Sequence, residues 1–545
     1  MVTPLLYNRC SRYCRPLFKG VNRLLSTQEH ALITTPIFYV NAKPHIGHVY
    51  SAVLADSLAR YQKLSGTAQV HLSTGTDEHG NKVLDAARKA NLDPVNFCDS
   101  VSSAFEKTFK DINVEANDFV RTTSAKHRNA VEHIWNTLID NNYIYLGYHE
   151  GWYCRSDECF LAPNQVVDGP NGPVTRDSGA SVEWLSEPNY KFKLSLFANR
   201  LRTWLQQDPC PIYPVKYKTE LLQFLDQGLQ DLSVSRLSSR AAWGIPVPND
   251  PTHNIYVWLD ALTNYLTTSG YPDQTHMWPP TTQVIGKDII RFHAIYWPAF
   301  LMAAGLQLPS NITVHAHWTV NGGKMSKSVG NVVCPTFLAS TLGGPDPLRF
   351  FLLSHSSIDY DANFSLDDAL VCVNHFLADQ FGNLYSRAIG LLRRELNQNR
   401  LNEILNNVDP SHVCFTELES LAGRVQSNFA KAKFSVGLKE ISDFVALVNQ
   451  WFTSRSPWQA TATNSEETIV VAINCCRIVA ILLQPVIPTM SSSILSHMRI
   501  PEGARAFNNC TMKWQGLDLL PNQKKFVFFQ RRELSPANNV LQQQG

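Results

Sequence analysis

Two hydrophobic textures divide this chain. From about residue 31 to 142, short apolar runs alternate with stretches whose apolar positions recur every three or four residues. Leu32-Ile33-Thr34-Thr35-Pro36-Ile37-Phe38-Tyr39-Val40 reads as a strand despite its proline. Leu54, Leu58, Tyr61 and Leu64 then follow at helical spacing until Gly66 stops the run. Val70-His71-Leu72-Ser73-Thr74 reads as the next strand, before Gly75, and helical patterns cover Val83–Ala90 and Val131–Asn141. This β-α-β rhythm predicts an α/β domain with a doubly wound, Rossmann-like parallel sheet. Near residue 143 the rhythm stops. Trp152-Tyr153-Cys154-Arg155-Ser156-Asp157-Glu158-Cys159-Phe160 leads into an irregular run rich in Gly, Pro and Asp, with strands at Val182–Trp184 and Tyr190–Leu194. Near Trp243-Gly244-Ile245-Pro246 the α/β pattern resumes, through Ile255–Ala261, Val284–Ile289 and Ile312–Trp318. Beyond about 370 the pattern is helical throughout. Leu438, Ile441, Val445, Val448 and Phe452 form one stripe, and Ser456-Pro457 reads as N-cap and first residue of the following helix.

The expected organisation is therefore a nucleotide-binding domain in two halves, 29–142 and 241–320, split by an insertion over 143–240. A loop and linker over 321–370, an all-α bundle over 371–510 and a tail over 511–545 complete it. Ile469–Pro488 is apolar enough to test as a membrane span. It carries Asn474, Arg477 and Gln484, and an arginine at mid-bilayer costs roughly 2.5–3.5 kcal/mol. Pro485 and Pro488 break its end, so a buried core helix and no membrane insertion are expected.

Composition narrows the partners. With 44% hydrophobic and 17% charged residues, the 545-residue chain has the balance of a globular protein, and its net charge of +2 leaves any nucleic-acid surface local. Residues 371–545 hold 17 Lys+Arg against 13 Asp+Glu, a mild excess. Twelve dispersed cysteines read as reduced thiols. The first 28 residues differ: the charges are Arg9, Arg12, Arg15, Lys19 and Arg23, with no acid before Glu29, and Leu5, Leu6, Tyr13, Leu17, Val21, Leu24 and Leu25 can form an apolar face opposite them. That is the composition of a mitochondrial transit peptide, and it predicts the mitochondrial matrix.

The chemistry gathers at His45-Ile46-Gly47-His48, where the first strand gives way to a helix. Unpaired N–H groups and the helix dipole attract anions at such a mouth. Two imidazoles three residues apart can share a face, and Gly47 lets a ligand approach the backbone. By itself the motif could be a turn, a metal half-site or an anion site. Lys324-Met325-Ser326-Lys327-Ser328 follows roughly 275 residues later. Together they resemble the two signatures of class I aminoacyl-tRNA synthetases. Flanking segments resemble the methionyl-tRNA synthetases along nearly all of the chain after residue 28.

That resemblance implies ATP-dependent formation of an aminoacyl-adenylate, then transfer to tRNA. An amino-acid carboxylate is already ionised, so its attack on the α-phosphorus of ATP needs no general base and depends on positioning and charge stabilisation. His45 and His48 would donate to the phosphate oxygens, while Lys324 and Lys327, on a loop with Ser326 and Ser328, would neutralise the pyrophosphate. Mg²⁺ would accompany the nucleotide, and Gly47 would line its site. Thr76-Asp77-Glu78-His79-Gly80 matches the family segment whose aspartate holds the ammonium group, which assigns Asp77. Ile37 and Tyr39 fall beside the substrate. Tyr256–Ala261 and Ile289–Trp297 match side-chain pocket segments, nominating Val257, Trp258, Ala261, Leu262, Tyr265, Ile289, His293 and Trp297. Aromatic walls suit a thioether, and Tyr39 and His293 could address its sulfur. Leu262 stands where many relatives have proline.

In the helical region, Phe381–Arg387 resembles the anticodon-contacting helix and Ser456-Pro457-Trp458 the anticodon-stacking tryptophan. These assign Asn383, Arg387 and Trp458, while Asp379 stands where many relatives have asparagine. The insertion would lie beside the tRNA acceptor end. Relatives commonly carry Cys-x-x-Cys zinc knuckles there, but Cys154 and Cys159 are separated by four residues and no cysteine follows until Cys210, so no structural zinc is expected. The implied partners are L-methionine, ATP and mitochondrial tRNA(Met). Lack of an appended C-terminal RNA-binding or dimerisation domain points to a monomer. Leucine, valine and isoleucine enzymes carry a larger editing insertion than residues 143–240 could hold, and a cysteine enzyme would need a zinc ligand set. A tRNA-independent nucleotidyltransferase would have no use for the helical region. A non-catalytic RNA-binding relative would not keep both motifs.

Overall fold

The computed structural model describes residues 29–154, 159–161, 165–170, 172–176, 178–275, 277–325, 330–392, 398–408, 413–459, 462, 464–512 and 526–533. The 1–28 segment and Ser326, Lys327 and Ser328 lie outside them. The first elements are β1 (His30–Thr34), β2 (Phe38–Tyr39), α1 (Ile46–Leu64), β3 (Gln69–Asp77), α2 (Asn81–Lys89), α3 (Pro94–Asp111), β4 (Asp118–Arg121) and α4 (Ala125–Asp140). The strand expected over 32–40 is broken in two. Pro36 has no N–H to give the ladder, so β1 pairs with the start of β3 and β2 with its end, Phe38 opposite Thr76 and Tyr39 opposite Asp77. On the other side of β3, Gly75 admits β4 closely: a Cβ there would lie 2.0 Å from the Val120 carbonyl oxygen.

The sheet is completed from far along the chain. Its order is Ile212–Tyr213, Ile312–His315, Thr282–Gly286, β1, β3, β2, with β4 also on β3, and every pairing is parallel. All the strands therefore end at one edge, which is where open α/β sheets bind ligands. The expected 143–240 insertion is not one unit: Ile212–Tyr213, inside it, belongs to the parallel sheet, while a separate antiparallel sheet is built on an eleven-residue ladder, Ile144 opposite Phe192 through Cys154 opposite Val182. The two strands expected over 182–194 are thus a single strand, Val182–Phe192. Pairing with Ile144–Cys154 carries it through Leu185–Asn189, which lack β-branched residues.

Beyond residue 365 the fold is helical. The helix Ser465–Leu483 is buried along nearly its whole length, and the Arg477 guanidinium donates inside the protein to the Asn474 side chain and the Asn509 and Thr511 carbonyls. Among the described residues no helix is long and apolar enough to cross a membrane. Ser456 departs from expectation. It sits at φ 43° as the left-handed C-cap of Phe434–Arg455, and the next helix begins only at Ser465. Ser-Pro resembles a helix start, but here tertiary packing uses the pair to end one.

A buried ion pair joins α1 to the helix Pro345–Ser354, whose Arg349 in turn reaches the helical region. Asp56, in the middle of α1, accepts from Arg349 at 2.6 Å, Arg60 at 2.8 Å and the Glu115 N–H at 2.9 Å. Arg349 also donates to the Val486, Pro485 and Asn113 carbonyls. Burial alone would raise the Asp56 carboxyl, but the two guanidiniums outweigh it and hold its pKa below the usual value. Removing one member of a buried pair strands the other, at a cost of about 3–5 kcal/mol. Asp56→Ala should lose stability of that order in urea unfolding. Lys439→Ala, which breaks an exposed pair with Asp443, should cost about 1 kcal/mol or less. Equal losses would contradict the buried-pair reading.

Candidate active site

His45 is the N-cap of α1, and its ring folds over the first turn. Its Nδ1 accepts from the Gly47 N–H at 3.1 Å, while His48 Nδ1 accepts from the His45 N–H at 3.1 Å. This reciprocal capping fixes both tautomers: Nδ1 is the acceptor, so each neutral ring carries its proton on Nε2. The rings lie 3.8 Å apart between centroids, and His48 packs edge-on to Phe38 and Phe105. Burial first, and then the Lys324 charge, pull the His45 pKa down to about 4. Burial and His45 hold His48 well below its usual value.

The helix mouth differs from expectation in one respect. Its backbone donors are already engaged: Ile46 N–H by the Val333 carbonyl, Gly47 N–H by His45 Nδ1, and His48 and Val49 N–H by the His45 carbonyl. An anion here meets imidazole Nε2–H groups and a lysine rather than free peptide N–H groups. Gly47 also has a different use. A Cβ on it would lie 2.8 Å from His45 Cε1 and 3.7 Å from Met325 Cε. The glycine makes room for the capping ring, and Met325 of the lysine loop packs at ordinary contact distance beside it. Lys324, exposed, is ion-paired with Asp288, the second residue after the 282–286 strand. His315, at the end of the adjacent strand, bonds Ser51 of α1 at 2.7 Å.

Asp77 ends β3 beside Tyr39, and directly opposed residues of a parallel pair project to one face. The turn that carries Asp77 is clamped on both sides. Glu78 is fully buried and accepts from Arg121 at 2.7 and 3.1 Å, Thr76 at 2.8 Å and Ser102 at 2.5 Å. Burial raises the Glu78 carboxyl, but those donors prevail and its pKa is lowered. His79 donates from Nδ1 to Asp260 at 2.6 Å, and Asp260 is held from its other oxygen by His127 at 2.7 Å. These partners bring Asp260 to about 2 against the opposing effect of burial. Sequence reading assigned no role to Glu78, Asp260, Arg121 or His127. The one local signal was a lone carboxylate inside the apolar run Tyr256–Ala261.

Asp260 lies in the short helix Val257–Leu262 with Val257, Trp258, Ala261 and Leu262. Trp258 stacks on Phe292 at 3.5 Å, and Tyr265 lies 6.0 Å from Trp297. Tyr265, His293 and Trp297 are fully buried, and Ile289 is half-buried. Both ring nitrogens of His293 already have partners, Nε2 accepting from the Tyr265 hydroxyl at 2.7 Å and Nδ1 donating to the Ile289 carbonyl at 2.9 Å. That leaves no spare donor on His293 for a sulfur atom. Ile37 sits half-buried in the break between β1 and β2.

In the helical region Asn383 is exposed one turn before Arg387, whose guanidinium lies 4.9 Å from the Trp458 ring and 5.3 Å from Phe452. Trp458 is 46% exposed, with the Arg387 guanidinium lying over its ring. Among the described residues no group of three or more His, Cys, Asp or Glu is arranged to hold a metal. Residues 155–158 and the Cys159 side chain lie outside that description.

Comparison with known proteins matches this geometry. The family described as "tRNA synthetases class I (M)" matches residues 31–183 and 171–389, so the split sheet and its two motifs define a class I tRNA synthetase. The family described as "Anticodon binding domain of methionyl tRNA ligase" matches residues 409–527. The chain belongs to the methionyl-tRNA synthetase family. It is 42% identical over 503 residues to the probable mitochondrial methionine–tRNA ligase of Dictyostelium discoideum, with 87% of each chain covered. It is 41% identical over 507 residues to the mitochondrial methionine–tRNA ligase of Homo sapiens, covering 87% of this chain and 85% of that one. The Mycobacterium tuberculosis methionyl-tRNA synthetase in complex with methionyl-adenylate superposes with a TM-score of 0.84 at 34% identity, over 92% of this chain and 100% of the other.

The neutral histidines have a measurable consequence. A fold that keeps His45 and His48 unprotonated is fully stabilised above about pH 6.5, the ordinary imidazole value. It loses that contribution as the pH falls towards 4. The melting temperature should fall between pH 7 and pH 4.5. His45→Asn, which keeps a capping side chain, should flatten part of that fall. An equally steep fall in the variant would contradict the assignment.

Proposed function

We propose that this chain is a mitochondrial methionine–tRNA ligase acting in the matrix. It joins L-methionine to ATP as methionyl-adenylate with release of pyrophosphate. It then passes the methionyl group to the terminal ribose of mitochondrial tRNA(Met), releasing AMP. The observation that carries this reading is the meeting of the paired histidines, Lys324 and Asp77 at the carboxyl edge of one parallel sheet. Family membership and the names of the relatives support the choice of amino acid. The basic, acid-free composition of residues 1–28 supports import into mitochondria.

In this reading the methionine ammonium pairs with Asp77, and its carboxylate oxygen attacks the α-phosphorus as the bond to pyrophosphate breaks. Nε2–H groups of His45 and His48 stabilise the charge gathering on the phosphate oxygens. Lys324 moves from Asp288 to the triphosphate. Lys327, Ser326 and Ser328 close over it, so that loop contacts are strongest in the transition state. Gly47 borders the nucleotide, and Mg²⁺ arrives with ATP as part of the substrate. Ile37, Tyr39, Val257, Trp258, Ala261, Leu262, Tyr265, Ile289, His293 and Trp297 enclose the thioether. His293 does so through the hydroxyl it orients rather than by its own N–H. Asn383, Arg387 and Trp458 receive the anticodon. The enzyme works as a monomer without structural zinc.

Pyrophosphate exchange with a panel of amino acids tests the substrate. Methionine should support it, and leucine, valine and isoleucine hardly at all. Exchange driven by leucine instead would overturn the pocket assignment. Trp458→Ala should lower charging of tRNA(Met) by about five- to a hundredfold, the worth of one stacked base. Adenylate formation should keep its wild-type rate. Loss of both activities together would remove Trp458 from an anticodon role.

A further inference from the structure

Asp288, the carboxylate that holds Lys324, has a second side chain within reach. Lys324 Nζ and His317 Nε2 both approach the same oxygen, Oδ2, the lysine in direct contact and the imidazole at 3.8 Å. The main chain of His317 is pinned on both sides. Its N–H donates to Asp361 Oδ1 at 2.9 Å, and its carbonyl accepts from the Ala362 N–H at 2.9 Å. Gly286, at the end of the Thr282–Gly286 strand, gives the ring its place, because a Cβ there would lie 3.4 Å from His317 Nε2. Two nitrogen groups thus converge on one carboxylate oxygen from two different segments.

The other neighbours are committed elsewhere. Lys287 donates to both Asp361 oxygens at 2.7 Å. His315 is used at both nitrogens, Nδ1 donating to the Ala316 carbonyl at 2.8 Å and Nε2 accepting from Ser51 at 2.7 Å. His317 has no ring hydrogen bond among the described residues, and its side chain is 21% exposed, so solvent can supply it with a proton. Asp288 and Asp361 favour its charged form, Lys324 and Lys287 oppose it, and His315 adjoins it. Burial is the largest influence, and with the two lysines it holds the ring below the ordinary imidazole pKa. Departure of Lys324 would shift that balance, removing an opposing charge and leaving Asp288 in want of a partner.

We propose that His317 is a positioning residue that becomes the partner of Asp288 when Lys324 leaves it for the triphosphate. The inference rests on the adenylate-forming reading above, in which Lys324 makes that move. Without a replacement, a bare carboxylate would stand at the edge where the triphosphate sits, and like charges repel. With His317 the exchange balances. The Lys324–Asp288 contact breaks, the imidazole binds one proton from solvent, and its Nε2–H closes on Oδ2. The positive charge that Lys324 carries to the nucleotide is thereby replaced beside Asp288. Transfer of Lys324 is coupled to uptake of a single proton, so acid favours it. The benefit fades as the pH rises past the pKa of the ring paired with Asp288.

Pyrophosphate exchange by the full-length protein, at saturating methionine and Mg²⁺, gives the KM for ATP from about pH 6 to about pH 8.5. His317→Gln keeps a side-chain N–H for Asp288 but cannot take up a proton. Its KM should exceed the wild-type value by about fivefold at the acid end, the factor that a pKa rise of about 0.7 gives, and converge on it at the alkaline end. Titration of ATP and of the other histidines is common to both proteins and cancels in the ratio. His317→Lys, permanently charged, should show the mirror image, matching wild type in acid and binding ATP more tightly in alkali. Because that is a gain, a misfolded variant cannot imitate it. A His317→Gln ratio that is the same at every pH would overturn the proposal, whether it stays near one or marks a uniform structural loss. Undiminished exchange by Lys324→Ala would instead overturn the reading that Lys324 serves the triphosphate, and this proposal with it.

Discussion

The parallel pairing of β1 with the strand Thr282–Gly286 is the constraint on which the rest depends. Ile33 stands opposite Thr282 and Thr34 opposite Gln283, across an excursion of roughly 250 residues. Because every pairing in the sheet is parallel, this contact sets all the strand ends at one edge. The histidine turn follows β1 and β2, Asp77 ends β3, and Asp288 follows the 282–286 strand. Ser51–His315, Ile46–Val333 and Asp56–Arg349 then fasten α1 at its start, first turns and middle to segments that arrive later in the chain. The insertion can be large because its ends re-enter the same sheet.

Electrostatics at that edge follow one pattern. Charges that must stay put are buried and saturated, as Glu78 is by Arg121 and hydroxyls, and Asp260 by two histidines. The groups proposed to meet substrate are neutral or loosely held. His45 and His48 are uncharged donors, and Lys324 rests on an exposed carboxylate that a triphosphate can outbid. The fixed charges clamp the turn that carries Asp77, while the proposed reaction requires Lys324 to leave only an exposed ion pair.

Much of this was legible in the sequence because it is periodic or local. Apolar spacing gave α1 and its end at Gly66, which sits at φ 97°. The Gly-rich turn before Lys324 marked the loop. The errors have physical causes. Pro36 splits a strand that hydrophobicity alone would run through. Ser456-Pro457 has the residues of a helix start, yet its left-handed backbone ends one helix and turns Trp458 outwards. Free peptide N–H groups at the helix mouth were inferred from geometry in isolation, whereas Val333 and the His45 ring claim them. Glu78 and Asp260 draw their meaning from Arg121 and His127, and no local pattern announces partners so distant in sequence.

The central claim is that the histidine turn and the lysine loop act on one transition state, and a double-mutant cycle measures it directly. Single-turnover methionyl-adenylate formation would be followed for wild type, His48→Asn, Lys324→Ala and the double variant. Coupled groups give non-additive losses. The double variant should therefore react at least about threefold faster than the product of the two single losses would allow. Losses that multiply without remainder would show two motifs acting independently, and the single shared site would be wrong.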